Sequence, residues 1–196
     1  HYSSRRQRQM CIRDRYKLIS IVGAIHISSE LISRLSSSRA KLVFGPRTGA
    51  RVGNMKIPTN LPPAINLVKS KVLRVETLPP NLSLEIDPLG QANRYIETIN
   101  VDSNAAPYLT LKNGKVIATI EATGAIYLGS MLDQEGLRVF YKGLFDEIEL
   151  DYLLMPAGIR RRCADREEFW FNYNDRTTQT KNGNMMPAEV KRLPLI

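Results

Sequence analysis

Residues 16–44, YKLISIVGAIHISSELISRLSSSRAKLVF, decide how the chain folds. Lys17 to Val22 is a short run rich in Ile and Val, the pattern of a buried strand. A helix follows it. Ser28 suits the N-cap, Glu30 lies in the first turn where the helix dipole favours a negative charge, and Ile27 with Ile32 has the spacing of a hydrophobic staple. Leu31, Ile32 and Leu35 give this helix one apolar face, with Arg34 and Arg39 pointing elsewhere. After its serine-rich end, Lys41 to Phe44 (KLVF) is a second buried strand. Strand, helix and strand joined so closely form a βαβ unit, whose right-handed crossover sets the two strands parallel in one sheet.

Upstream of this unit the chain changes character. The segment HYSSRRQRQMCIRDR carries Arg5, Arg6, Arg8, Arg13 and Arg15 against one acid, Asp14, with no apolar period and no initial Met. It resembles a translated sequencing adaptor, and residues 1–15 read as a non-native or disordered basic leader. The functional alternative is a basic arm that binds nucleic acid. Against it, Cys11 and Ile12 interrupt the run, and such arms are usually longer. The charge is unevenly spread: residues 1–75 hold 15 Lys/Arg and 2 Asp/Glu, residues 76–149 hold 5 and 11, and residues 150–196 hold 8 and 6. The net charge of +9 therefore owes much to the leader.

At 196 residues the chain can build one medium domain or two small ones. A (β/α)₈ barrel, at roughly 250 residues, does not fit. Hydrophobic residues at 43% and charged ones at 24% exclude a mostly disordered or fibrous chain. No apolar run approaches the roughly 20 residues of a membrane span, so no membrane partner is expected. Cys11 and Cys163 are too few for a disulfide scaffold and lack metal-ligand spacing, which points to a reducing, cytoplasmic compartment.

Downstream, Gly45-Pro46-Arg47-Thr48-Gly49 follows the second strand. Loops at the carboxyl ends of parallel strands are where α/β proteins hold ligands, so Arg47 could bind an anion there. The structural alternative is that Gly45, Pro46 and Gly49 turn the chain and Arg47 pairs locally. Ile57 to Ala64 (IPTNLPPA) is a proline-punctuated surface excursion, and Lys71 to Thr77 (KVLRVET) alternates as a strand. Arg94 to Val101 is another candidate strand. Tyr108 to Lys112 and Lys115 to Ile120 flank Asn113-Gly114, the signal for a type I′ hairpin turn. Ala125 to Leu128 is a further buried strand. Asp133 then caps a helix whose Leu137, Phe140, Tyr141, Leu144, Phe145 and Ile148 follow helical spacing. After Pro156 the pattern turns to short strands, Ile159 to Cys163 and Glu168 to Tyr173, with a turn at Asn182-Gly183. Alternation puts Arg160 and Arg162 on one face and Arg161 on the other, so local pairing with Asp165, Glu167 and Glu168 is favoured over one phosphate-binding patch. Trp170, between Phe169 and Phe171, reads as core of a small β domain, with a stacking platform as the alternative.

The order of these short motifs resembles one family. YKLISIVGAIHISSELISRL, LVFGPRTGARVGNMKIPTNLPP and KVLRVETLPP are similar to the strand, helix, "GPRSG" loop, "IPxxLPPG" segment and "VxRVESL" strand of the trimerisation domain in family 42 glycoside hydrolases, which are β-galactosidases. Ala125-Ile126-Tyr127-Leu128-Gly129, Pro156 to Arg162 and Phe169 to Tyr173 are similar to motifs that lead into the family's small C-terminal β domain. The match covers about residues 16 to 180.

The resemblance implies an α/β fold: a partial flavodoxin-like domain with a parallel sheet, as in class I glutamine amidotransferases, over residues 16–152, then a small antiparallel β domain over 153–196. It implies that the first elements of the trimerisation domain lie upstream of Tyr16, and hence an exposed sheet edge and marginal stability for the chain alone. It implies a homotrimer and a galactoside substrate bound only through a catalytic barrel that this chain does not contain. A retaining glycosidase needs two carboxyl groups about 5 Å apart on a rigid scaffold. The family places these on the barrel, so Glu76, Glu97, Glu121, Glu147 and Glu149 inherit no catalytic role. Amidotransfer would need a Cys nucleophile with a His base, but Gly23-Ala24 follows the first strand, Cys163 lies in the wrong segment, and His1 and His26 have no Cys beside them. No catalytic, cofactor-binding or metal-binding residue is therefore expected. Gly45, Pro46, Arg47, Gly49, Arg74 and Glu76 match family-motif positions and are expected to be structural or to lie at an interface. A nucleic-acid-binding module remains the competing reading.

Overall fold

The computed structural model describes residues 16–87, 90–164 and 166–194. The basic leader at residues 1–15, with His1 and Cys11, lies outside them, as does Asp165. The chain divides into two compact units, the first ending at Leu150 and the second starting at Asp151.

The first unit begins as its sequence predicts. Strand β1 (Leu18–Ile21), helix α1 (Ser29–Ser36) and strand β2 (Lys41–Phe44) form a βαβ unit with β1 and β2 parallel. The Ser28 hydroxyl caps α1, accepting from the Leu31 amide at 3.2 Å. Ile27 and Leu35 are buried, whereas Leu31 is 41% exposed. Helical side chains lean toward the N-terminus, so Leu31 in the first turn overhangs the packed face that Ile32 and Leu35 share.

Seven further strands complete the sheet among the described residues: β3 (Lys71–Thr77), β4 (Ser83–Asp87), β5 (Gln91–Asn100), β6 (Ala105–Leu111), β7 (Val116–Glu121), β8 (Ile126–Leu128) and β9 (Ser130–Leu132). Their order is β1-β2-β8-β7-β6-β4-β5-β3, with β9 paired to β5. Only β1, β2 and β8 run parallel. From β8 onward the pairing is antiparallel, so the sheet is mixed and the expected parallel sheet is confined to three strands. The reason lies in the connections. Short loops such as Asn113-Gly114 can join only antiparallel neighbours. That loop is itself not a type I′ turn: Gly114 has φ 84° while Asn113 keeps negative φ, the Gly114 amide donates to Leu111 O at 2.8 Å and the Leu111 amide to Lys115 O at 2.9 Å. This is the three-residue loop with glycine in the left-handed position.

Both faces of the sheet are covered, which is why β2 and β8 read as unbroken apolar runs. Val43, Ile126 and Leu128 point into one core with Ile96, Leu111, Phe140 and Leu144. Leu42, Phe44 and Tyr127 point into the other with Leu35, Ile65, Val68 and Ile99. Helix α2 (Gln134–Glu147) packs on the first face through Phe140 and Leu144. Phe140 stands edge-on to Tyr108 and Tyr141, with ring centres 5.7 and 5.2 Å apart. Tyr141 shares a 2.8 Å hydrogen bond with Ser20, and Lys41 pairs with Glu147 at 2.7 Å, so α2 is tied to β1 and β2 at its polar margin. Leu137 stays 39% exposed.

In the second unit β10 (Ile159–Ala164), β11 (Glu167–Asn172) and β14 (Val190–Pro194) form an antiparallel sheet, and β12 (Thr178–Thr180) pairs with β13 (Gly183–Met185). Trp170, 1% exposed, packs with Ile159 and Met185 as core. Arg161 pairs with Glu168, as the local ion pairing expected of this segment, whereas Glu167 pairs across the sheet with Arg192.

One side chain starts α2 and anchors it to the sheet. Asp133 Oδ1 accepts from the Gly136 amide at 2.8 Å and from the Gln91 amide of β5 at 3.2 Å. Asp133→Ala is expected to cost about 1–2 kcal/mol in urea denaturation followed by far-UV circular dichroism, with Asp133→Asn recovering most of it; an unchanged midpoint for the alanine variant would show the cap to be dispensable.

Candidate functional site

The loop at the carboxyl end of β2 is built from the ends of two strands. Gly45 continues the pairing by donating its amide to Ile21 O at 2.7 Å. Thr48, fully buried, donates its hydroxyl to the same carbonyl at 3.1 Å. Gly49 donates to Ala24 O at 2.9 Å and accepts from the Ala64 amide at 2.7 Å, so the loop is stitched both to the segment after β1 and to the proline-punctuated excursion. At Gly49 only glycine fits: its φ is 69°, and a Cβ would lie 2.6 Å from the Ile65 side chain. Pro46 is buried beside it. Between them Arg47 takes a left-handed φ of 63° and stays exposed.

What holds Arg47 in that conformation is a buried carboxyl on β5. Glu97 is 2% exposed. Its Oε1 accepts from the Tyr95 hydroxyl at 2.7 Å and from the Arg47 amide at 3.2 Å, and its Oε2 accepts from the Tyr127 hydroxyl at 2.7 Å. The Arg47 guanidinium lies 6.0 Å from the centre of the Tyr95 ring, within reach of a cation–π contact. Arg47 is thus held by its main chain, with its guanidinium beside a ring. The backbone of Glu97 is equally engaged, donating to Gly129 O at 2.6 Å while the Gly129 amide donates to Ile117 O at 2.7 Å. Gly129 has to be small here, since a Cβ would meet the Glu97 Cβ at 3.0 Å.

The loop opens onto a cavity of about 580 Å³. Its walls come from the end of β1 (Val22, Gly23), the loop (Gly45, Pro46, Arg47), the β8–β9 segment and the first turns of α2. This is the position at the carboxyl ends of parallel strands where open α/β sheets hold ligands.

Arg74 and Glu76, on β3, are not gathered with the loop. They pair with each other at 3.0 Å, and Glu76 also with Lys115 at 3.1 Å. His26 is an exposed loop residue ahead of α1, and Cys163 is an exposed free thiol on β10. No cluster of three or more His, Cys, Asp or Glu among the described residues could hold a metal. No helix among them is long and apolar enough to cross a membrane. Glu97, set aside by sequence reasoning because it matched no catalytic motif, is the organising residue of the site. Its signal was a single acid in the otherwise strand-forming run RYIETINV.

Burial holds the Glu97 carboxyl above its ordinary value of 4.5, against the hydrogen bonds from Tyr127, Tyr95 and the Arg47 amide and the charge of Arg47. Burial, and next the neighbouring carboxyl, likewise raise both phenols. A carboxyl whose folded value exceeds its unfolded one favours the fold fully below the unfolded value and loses that contribution as pH rises through the folded value. The stability of the unaltered chain is therefore expected to fall relative to Glu97→Gln as pH climbs from 4.5, read as the gap between their urea midpoints at acid and neutral pH. A gap that does not change with pH would remove the titration from Glu97. Glu97→Ala, which strands three donors, is expected to cost about 2–4 kcal/mol.

No family model matches the chain. Among curated proteins it is 31% identical over 162 residues to the β-galactosidase BgaA of a Thermus species, covering 81% of this chain and 25% of that protein. It is also 31% identical over 156 residues to a β-galactosidase of Thermus thermophilus, covering 75% of this chain and 23% of that protein. Among solved structures, the β-galactosidase of the psychrophilic Marinomonas ef1 superposes with a TM-score of 0.83 at 27% identity over 93% of this chain and 30% of its own. A family 42 β-galactosidase of G. stearothermophilus shares the fold, with a TM-score of 0.71 at 18% identity over 92% of this chain and 32% of its own. The chain thus spans about a quarter of the length of the curated relatives it matches, and nothing in these similarities supports the nucleic-acid reading. In sequence the chain is similar to a part of two β-galactosidases, and in fold to a part of solved β-galactosidases that include one of glycoside hydrolase family 42.

Proposed function

We propose that the chain is a non-catalytic, C-terminal part of a family 42 β-galactosidase and serves subunit trimerisation, while the whole enzyme removes terminal β-D-galactose from β-galactosides through a barrel outside this chain. The observation that carries this reading is the combination of partial coverage with committed carboxylates. The chain matches β-galactosidases along most of its own length but only a quarter of theirs. Its buried acids are already used: Glu97 by two phenols and an amide, Glu121 by the Lys69 amide at 2.9 Å and Thr119 at 3.0 Å, and Glu168 by Arg161. The three parallel strands are read as part of a flavodoxin-like sheet, in which β1 is the edge strand among the described residues. A free thiol at Cys163 fits a reducing, cytoplasmic setting.

For association, β3 is the surface that fits best. It is the other edge of the sheet among the described residues, and it exposes Leu73 at 59% and Val75 at 51%. Apolar side chains on an unpaired edge strand are a recognised route to chain–chain contact. Arg74 and Glu76 on the same strand would frame the contact with charge.

Sedimentation equilibrium of the 196-residue chain is expected to show trimer, and Leu73→Arg with Val75→Arg is expected to shift it to monomer with an unchanged far-UV spectrum. A chain that is monomeric at every concentration sinks the association reading. Turnover of a chromogenic galactoside by the purified chain would place the chemistry here and sink the non-catalytic one.

A further inference from the structure

The cavity at the carboxyl ends of β1, β2 and β8 combines two features that the reading above leaves unused. Its volume of about 580 Å³ falls within the roughly 300–1,000 Å³ of small-molecule sites. Val22, Ile25, Val43, Leu128 and Leu137 supply an apolar wall, and two arginines, Arg47 and Arg94, line it as well.

Both arginines sit in the left-handed backbone region, at φ 63° and 60°. Few non-glycine residues do so, and such residues gather at ligand sites where the surroundings hold them in place. Each is held by a different device. Arg47 is fixed by the buried Glu97 carboxyl through its amide. Arg94 lies where the pairing of β5 with β9 shifts register between Asn93 and Ile96, and its carbonyl accepts from the Leu78 amide at 2.8 Å. A bulge of this kind re-aims a side chain. Neither guanidinium forms an ion pair among the described residues; Arg47 only approaches the Tyr95 ring and Arg94 has no side-chain partner.

The acid of the same wall is engaged through one oxygen. Asp133 Oδ1 is taken by the Gly136 and Gln91 amides. Of the other polar groups, Tyr141 is bonded to Ser20, and Ser130 donates to Tyr95 O at 3.2 Å. Asn93 and Gln134 also line the cavity, and what remains is a largely apolar chamber with two guanidinium groups, of which Arg47 also feels the charge of Glu97. An apolar body fits that wall, and an anionic group gives the two exposed guanidinium groups a partner.

We propose that this cavity binds a small amphipathic carboxylate, an aryl or branched-alkyl acid whose body fills the apolar chamber and whose carboxylate is held by Arg47 and Arg94. Arginine suits this role because its planar fork matches a carboxylate in two-point geometry. The site is independent of subunit association, and its test does not use galactoside turnover.

The test titrates 3-phenylpropionate, and separately its neutral amide 3-phenylpropanamide, into the 196-residue chain, with calorimetry for affinity and methyl-resolved NMR for location. Saturable binding of the acid is expected, with shifts at the methyls of Val22, Val43 and Leu128. The amide is expected to bind about tenfold more weakly or worse, as is the acid to Arg94→Gln and to Arg47→Gln, while the amide binds both variants as it does the unaltered chain. No saturation by the acid at about 10 mM, equal affinity for acid and amide, or shifts confined to other methyls would each overturn the proposal. The acid–amide comparison needs no substitution, so a variant that fails to fold does not remove the test.

Discussion

Glu97 stands in the middle of a ten-residue strand with its carboxyl taken out of water, and a group of that kind is tolerated only when its oxygens are bonded. Its three donors come from three places in the chain: Tyr95 on its own strand, Tyr127 on β8, and the Arg47 amide in the loop after β2. Fifty residues separate Glu97 from Arg47 and thirty from Tyr127, so this one side chain joins the parallel part of the sheet to the antiparallel part. The main chain repeats the link through Gly129, bonded on one side to Glu97 and on the other to Ile117. The loop conformation, the left-handed Arg47 and the mouth of the cavity all follow from satisfying that carboxyl.

A second set of restraints acts from the opposite face. Helix α2 buries Phe140 and Leu144, worth about 1.5–3 kcal/mol each, and is positioned along the parallel strands by polar contacts at its margin. Asp133 fixes its start to β5, while Tyr141 and Glu147 fix its later turns to Ser20 and Lys41. Exposed pairs of this type add little stability. Their effect is positional: they set α2 so that its first turns, with Leu137, close one side of the cavity whose other side is the Arg47 loop.

Legibility in the sequence followed the range of the interactions. Local signals were readable: the Ser28 and Asp133 caps, the apolar run of β2, the heptad-like stripe of α2 and the glycines of the Gly45–Gly49 loop depend on neighbours within a turn or two. Three short strands escaped notice, as did the two, Thr178 to Thr180 and Gly183 to Met185, that flank the turn read at Asn182-Gly183. Ser83 to Asp87 alternates but has one buried residue, Ser130 to Leu132 is three residues long, and Val190 to Pro194 ends in a proline. The mixed character of the sheet was only partly readable: the Asn113-Gly114 hairpin marks one antiparallel pair, while a βαβ start fixes only the strands it joins. Glu97 was the largest omission. A lone acid in a strand is ordinarily a solvent-facing residue, and only the arrival of Tyr127 and Arg47 from distant segments turns it into a buried hub. The left-handed Arg94 belongs to the same class, since its bulge exists only through pairing with β9.

That hub also bears on where chemistry can reside. A general acid or base must hand a proton to substrate in the transition state, which requires an oxygen free to face it. Glu97 has the raised carboxyl expected of an acid catalyst, yet both its oxygens are bonded inward and its backbone is fixed on both sides. Releasing it would free Arg47, loosen the loop and undo the junction between the two parts of the sheet. Raised acidity constants mark structural hubs as readily as active sites, and the distinguishing feature is whether a partner can be exchanged without dismantling the fold. By that criterion Glu97 is architectural. The side chain it positions, Arg47, is the one left facing solvent at the mouth of the cavity.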